Sequence, residues 1–199
     1  MDNPFNDLLK KKYENGNYRT DNGSMYLGKI EDDEYLHTIY YGIDDEEVEE
    51  LKNKLYLCNK KGAKLEEYIS FLQESNGALL FGGSINLFGF STNRDYEDTP
   101  TSIIKPLLSD KISKQIYRML YIGNCPHANG GNMNFYLNLD VGLVVGYYKN
   151  EIVITWPNIY EMVRDLINKY DEFYLPSGLN KNYGKADKGV YNNIQKYIF

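Results

Sequence analysis

The chain has 199 residues, 42% hydrophobic and 25% charged, the balance of a soluble globular protein with material for one real core. Its 22 basic and 28 acidic residues leave a net charge of −6. That excludes the usual phosphate-backbone binder, which gathers Lys and Arg on one face, and suits a basic protein partner. The two cysteines, Cys58 and Cys125, match no disulfide framework or zinc spacing, and no apolar run has signal-peptide or membrane-helix length. A cytoplasmic protein with free thiols and no membrane contact is expected.

Phe5, Leu8 and Leu9 fall at i, i+3 and i+4 and predict a short amphipathic helix, broken by the polar stretch from Glu14 to Gly23. Two strand-like runs follow, Ser24 to Ile30 and Tyr35 to Tyr41, split by the acidic turn Glu31-Asp32-Asp33-Glu34. Asp44 with Glu47 three residues on forms an Asp variant of the capping box, and Ile43 with Val48 takes the positions of a hydrophobic staple. Val48, Leu51 and Leu55 continue that helix as one stripe. A second helix from about Ala63 to Ser75 carries Leu65, Tyr68, Ile69 and Leu72, and Asn76-Gly77 ends it.

The strands Ala78 to Phe81 and Ile85 to Phe90 flank a Gly82-Gly83 turn. Ser91 to Thr101 reads as loop, and Ile103, Ile104, Leu107 and Leu108 as a short helical turn limited by Pro106. Tyr117 to Ile122 is a predicted strand. Gly123 to Asn132 is a predicted loop into Met133 to Leu139, then Leu143 to Tyr148 and Ile152 to Trp156, an antiparallel meander. Asn158 caps a third helix, with Ile159, Met162, Val163, Leu166, Ile167 and Tyr170 as its buried stripe. The tail from Leu175 is rich in Gly and Asn and ends in Val190, Ile194, Tyr197 and Ile198. Segregated helices and strands joined by hairpins give an α+β class.

Leu65 to Ser91, LEEYISFLQESNGALLFGGSINLFGFS, resembles the central signature of the SUKH superfamily: a helix ending in Asn-Gly, a strand, then a hydrophobic strand into Leu-Phe-Gly. Tyr121-Ile122-Gly123-Asn124 resembles its Ile-Gly strand end, and Lys149 to Tyr170 its C-terminal hairpin and helix. The residues that match, Asn76, Gly77, Leu87, Phe88, Gly89, Ile122 and Gly123, read as structural. The chain departs from the family at Gly62-Ala63-Lys64, where a Pro is usual, and at Asn124-Cys125-Pro126, where an acid is usual. The resemblance implies a single mixed or mainly antiparallel sheet flanked by helices. It divides the chain into an N-terminal extension (1–42), a SUKH-like domain (43–174) and a C-terminal extension (175–199). It implies no enzyme, no cofactor and no metal. Bacterial members resemble immunity proteins that bind a cognate polymorphic toxin, often a nuclease; members of the Smi/Knr type resemble regulatory scaffolds.

The residues are then weighed for chemistry. Cys125-Pro126-His127 is the only close Cys/His pair and lacks partners for zinc or for a nucleophile–base pair. Gly82-Gly83 and Gly130-Gly131 read as turns, since neither is followed by Lys-Ser/Thr. Trp156, the sole Trp, reads as core or sheet rim. Ten carboxylates fall between Glu31 and Glu50. Those at the helix start complement its dipole, but Glu49 and Glu50 lie beyond the first turn. Asp32, Asp33, Glu34, Asp45, Glu46, Glu49 and Glu50 are therefore the candidate partner-binding residues, facing a basic toxin domain. Nucleic acid is not expected to bind.

Overall fold

Residues 2–13, 16–31, 34–91, 99–104, 118–127 and 130–173 are described by the computed structural model. A short helix α1 (Asn6–Lys10) precedes three strands, β1 (Asn17–Arg19), β2 (Met25–Glu31) and β3 (Glu34–Ile39). Helices α2 (Asp45–Leu57) and α3 (Leu65–Glu74) follow, then β4 (Ala78–Leu80), β5 (Ile85–Leu87), β6 (Met119–Pro126), β7 (Asn132–Asn138), β8 (Val144–Tyr148) and β9 (Glu151–Trp156). Helix α4 (Ile159–Asp171) comes last among the described residues.

The nine strands form one sheet in chain order, every neighbour antiparallel, with α2 and α3 inserted as the link between β3 and β4. The protein is thus α+β. Among the described residues every ladder of the sheet is antiparallel, and the one parallel pairing is an isolated bridge between Gly89 and Ser102. Strands β1–β3 belong to the same sheet as β4–β9, and Phe5 and Leu8 are fully buried.

Periodicity explains which faces are buried. In β7 the alternate residues Met133, Phe135 and Leu137 are buried, and they meet Leu120, Val144 and Trp156 of the neighbouring strands in one core. Helix α3 buries Leu65, Tyr68, Ile69, Phe71 and Leu72, and α4 buries the whole stripe from Ile159 to Tyr170 predicted for it. The two helices meet edge to face through Phe71 and Tyr160, with ring centroids 5.5 Å apart, and the Tyr160 hydroxyl donates to Glu74 at 3.1 Å. Asn158 caps α4 by accepting from the Glu161 N–H at 2.9 Å, and Trp156 Nε1 donates to Asp165 across the strand–helix turn at 2.7 Å.

The Asn-Gly motif has a structural reason that goes beyond ending a helix. Ser75 turns extended and stops α3 itself, one residue earlier than a Gly cap would. Asn76, wholly buried, then clasps the backbone of Phe90: its Oδ1 accepts the Phe90 N–H at 2.6 Å and its Nδ2 donates to the Phe90 carbonyl at 2.5 Å. The backbone following β5 runs so close that a Cβ on Gly77 would lie 2.5 Å from the Leu87 carbonyl oxygen. One on Gly89 would lie 2.1 Å from that of Asn76. The two segments of the sequence signature are two halves of one clasp.

Two expectations are corrected. Gly123 to Asn132 is not a loop throughout: β6 continues to Pro126, pairing Cys125 with Met133 and Pro126 with Asn132. A proline is tolerated there because it ends the strand. Val153 lies on β9, inside the predicted strand, and is 41% exposed. Gly146 pairs with Ile154 and Tyr147 with Ile152, so Val153 is the extra residue of a bulge on β9. The second hydrophobic strand stops at Leu87, not Phe90, because the Asn76 clasp takes over the backbone groups of Phe90. Leu107, Leu108, Tyr117 and the tail from Leu175 lie outside the described residues. Among the described residues no helix is long and apolar enough to cross a membrane.

Candidate protein-binding face

Helix α2 is built by local rules. Asp44 accepts the Glu47 N–H at 2.9 Å, and Glu47 reaches back to the Asp44 N–H at 3.3 Å, so both halves of the capping box are made. Val48, Leu51 and Leu55 are buried on one side. The rest of the helix is thereby committed to solvent. Positions 46, 49, 50, 53, 56 and 57 recur at helical spacing and form its outer face.

That face changes character along its length. Glu46 and Glu49 are exposed and Glu50 is half-buried at the N-terminal end, while Tyr56 and Leu57 at the C-terminal end are 46% and 88% exposed. A large apolar side chain at 88% exposure contributes nothing to this core. Partner interfaces commonly place such an anchor beside charged residues that lie at the rim.

The charges are partly matched within the chain. Glu50 pairs with Lys54 at 2.7 Å along the helix, and Asp45 accepts from Gln73 of α3 at 3.5 Å. Lys52 bridges to Glu66 of α3 at 3.1 Å; that hydrogen bond raises the Lys52 pKa against an opposing desolvation, with the fields of Glu66, Glu49 and Tyr56 adding to the rise. Glu46 and Glu49 are the outward carboxylates of the helix.

The other candidate acids fall elsewhere. Glu34 is exposed at the start of β3, opposite Glu31, whereas α2 follows the far end of that strand, after about 17 Å of extended chain. Asp32 and Asp33 lie outside the described residues.

Between α2 and α3 a shallow hollow of about 360 Å³ is lined by Tyr56, Lys61, Gly62, Leu65 and Glu66. The α2–α3 connection is pinned beneath it. Lys60 is buried, with Nζ donating to the Met119 carbonyl at 2.8 Å, and the Lys64 N–H donates to the Leu139 carbonyl at 2.7 Å. Gly62 lies so near Leu139 that a Cβ would sit 2.2 Å from its carbonyl oxygen. The hollow thus stands on the core and not on a free loop.

Sequence reading missed Tyr56 and Leu57. A signal was available: both are large apolar residues off the Val48–Leu51–Leu55 stripe, where an amphipathic helix has no internal use for them.

The Cys/His pair is occupied by packing. Cys125 is fully buried on β6, and burial pushes its thiol up to about 12 despite a hydrogen bond with Tyr170, so it is not a thiolate at neutral pH. His127 stacks on Tyr148 with ring centroids 3.5 Å apart and planes 11° apart. Its pKa is lowered by desolvation and then by Lys149. His37 is buried between Tyr13 and Phe81, both edge-on, and desolvation, then Lys11, holds its pKa down at about 3. Among the described residues no group of three or more His, Cys, Asp or Glu is placed to hold a metal ion. Comparison with known proteins returns no match: no family model, no curated protein and no solved structure is significantly similar to the chain.

Proposed function

We propose that the chain is a cytoplasmic, SUKH-like immunity protein that binds and neutralises a cognate toxin domain, with α2 as the contact. The observation that carries this reading is the stripe of α2, which runs from outward carboxylates at Glu46 and Glu49 to exposed Tyr56 and Leu57. A toxin that acts on nucleic acid presents a basic cleft, because its substrate is a polyanion. A rigid helix offering carboxylates matches that field, and the exposed Tyr and Leu supply apolar area that the charges cannot. The meander of antiparallel strands and the Asn76–Phe90 clasp fit the segments on which the SUKH resemblance rests.

The test is association rate against ionic strength, with the product of the neighbouring toxin-like gene, for the parent and the variant Glu46→Lys, Glu49→Lys, Glu50→Lys. Steering by long-range fields predicts a variant slower by about tenfold or more at low salt and nearly equal at high salt. A variant that associates as fast as the parent at low salt overturns the reading of α2. A regulatory scaffold of the Smi/Knr type would use the same face on a different partner; a chain with no toxin-like gene beside it would favour that reading.

A further inference from the structure

We infer that the hollow between α2 and α3 is an arginine-binding subsite, built to receive a guanidinium from a basic protein partner. This inference rests on the proposed partner reading and names the chemistry of one contact within it.

The hollow has the parts such a site needs. One wall is the Tyr56 ring, 46% exposed on a helix that the core holds in place. An aromatic face attracts a cation through its quadrupole, and a planar guanidinium can stack on it. Near it stands the Glu66 carboxylate, 67% exposed at the side chain, in the first turn of α3. Gly62, which has no side chain, and the buried Leu65 line the same hollow and give it an apolar part that an aliphatic stem can contact.

The chain's own cations already report this preference. Lys61 places its Nζ 5.7 Å from the centre of the Tyr56 ring, and Lys52 places its Nζ 3.1 Å from Glu66 Oε1. Each ammonium satisfies one element of the site. Lys52 also lies within the field of Tyr56, so one ammonium senses both elements, but as a point charge and not as a planar fork. A guanidinium can lie over the ring and direct N–H groups to the carboxylate together. Lys61 is exposed and itself lines the hollow, so an incoming guanidinium has to displace its ammonium from the Tyr56 ring.

The experiment is a titration of the full-length, isotope-labelled protein with Nα-acetyl-arginine amide, followed by NMR at Tyr56, Gly62, Leu65 and Glu66. The citrulline analogue, equal in shape and uncharged, is the control. Saturable shifts confined to those residues are expected with arginine and not with citrulline. Lys61→Met should tighten binding and Tyr56→Leu should weaken it, each by about two- to fivefold, the range of an exposed cation–π contact. A spectrum unchanged elsewhere shows that each variant is folded. No saturable shift in either the parent or Lys61→Met, or equal shifts with citrulline, overturns the assignment. The two readings fail separately. Arginine binding with an unchanged association rate in the charge-reversed variant removes α2 steering and keeps the subsite. Charge-dependent association without arginine binding does the reverse.

Discussion

Replacing Asn76 with Ala should destabilise the protein more than any substitution of a surface residue. The side chain is 0% exposed and makes two hydrogen bonds, both to Phe90, whose own side chain is 0% exposed. Removing it orphans a backbone N–H and a backbone carbonyl at once. Each buried group left unmade costs about 1–3 kcal/mol, so the sum is roughly 2–6 kcal/mol. Urea unfolding at neutral pH reads this as a lower midpoint with little change in slope. Asn76→Asp sharpens the test. The carboxylate can still accept the Phe90 N–H, but it faces the Phe90 carbonyl with no proton to give. Its folded-state pKa must therefore rise above the unfolded value, near 3.9. A raised acid pKa favours the folded state at low pH and loses that advantage as pH increases. The Asp variant should accordingly lie nearer the parent at pH 4 than at pH 7. A loss below about 1 kcal/mol for Ala, or an Asp variant equally impaired at both pH values, would refute the clasp as an energetic element.

Leu72→Ala should cost about 2–5 kcal/mol, since the side chain is fully buried on α3; the denaturation midpoint measures it, and an unchanged midpoint would place Leu72 outside the core. The triple charge reversal on α2 should change stability by no more than about 1 kcal/mol, because the Glu50–Lys54 ion pair and the Glu49 field at Lys52 that it removes are both solvent-exposed; urea unfolding measures it. His37 gives a pH dependence: its folded pKa lies near 3, below the usual 6.5, so stability is complete above pH 6.5 and is lost as pH falls through that window. At pH 5 the loss is about 2 kcal/mol, and His37→Phe should remove this slope when unfolding is measured from pH 7 to pH 5; an identical slope would show that His37 is solvated. Native alkylation with iodoacetamide should modify Cys58, which is half-buried, and spare Cys125 until the chain is unfolded; peptide mapping that finds Cys125 modified in the native protein would contradict its burial.

The parts of the fold that sequence reveals are those governed by local physics. The capping box at Asp44 and the cap at Asn158 are made by atoms three residues apart, so their residue types suffice. The stripes of α3 and α4 follow one helical period, and they are buried as read. The errors occur where a distant strand decides. Cys125 and Pro126 sit in a segment whose composition says loop, yet Met133 and Asn132 lie opposite and pair with them. Val153 falls inside the strand read from sequence, but only the pairing with β8 shows that it is the extra residue of a bulge against Gly146 and Tyr147.

The same division separates the two ends of α2. The carboxylates are legible because charge needs no fold to be noticed, and for that reason they are ambiguous: acids at a helix start serve the dipole whether or not a partner exists. Glu47 illustrates the point, since its side chain is used inside the capping box. Tyr56 and Leu57 carry the opposite kind of information. Nothing in the helix requires them, and only the three-dimensional arrangement shows that nothing among the described core residues uses Leu57 either, at 88% exposure. An exposed apolar side chain has a standing cost in water that an exposed acid does not. The stronger support for the proposed partner is therefore the apolar end of α2; on that proposal the acids would set how fast a partner arrives and the Tyr56 end how long it stays.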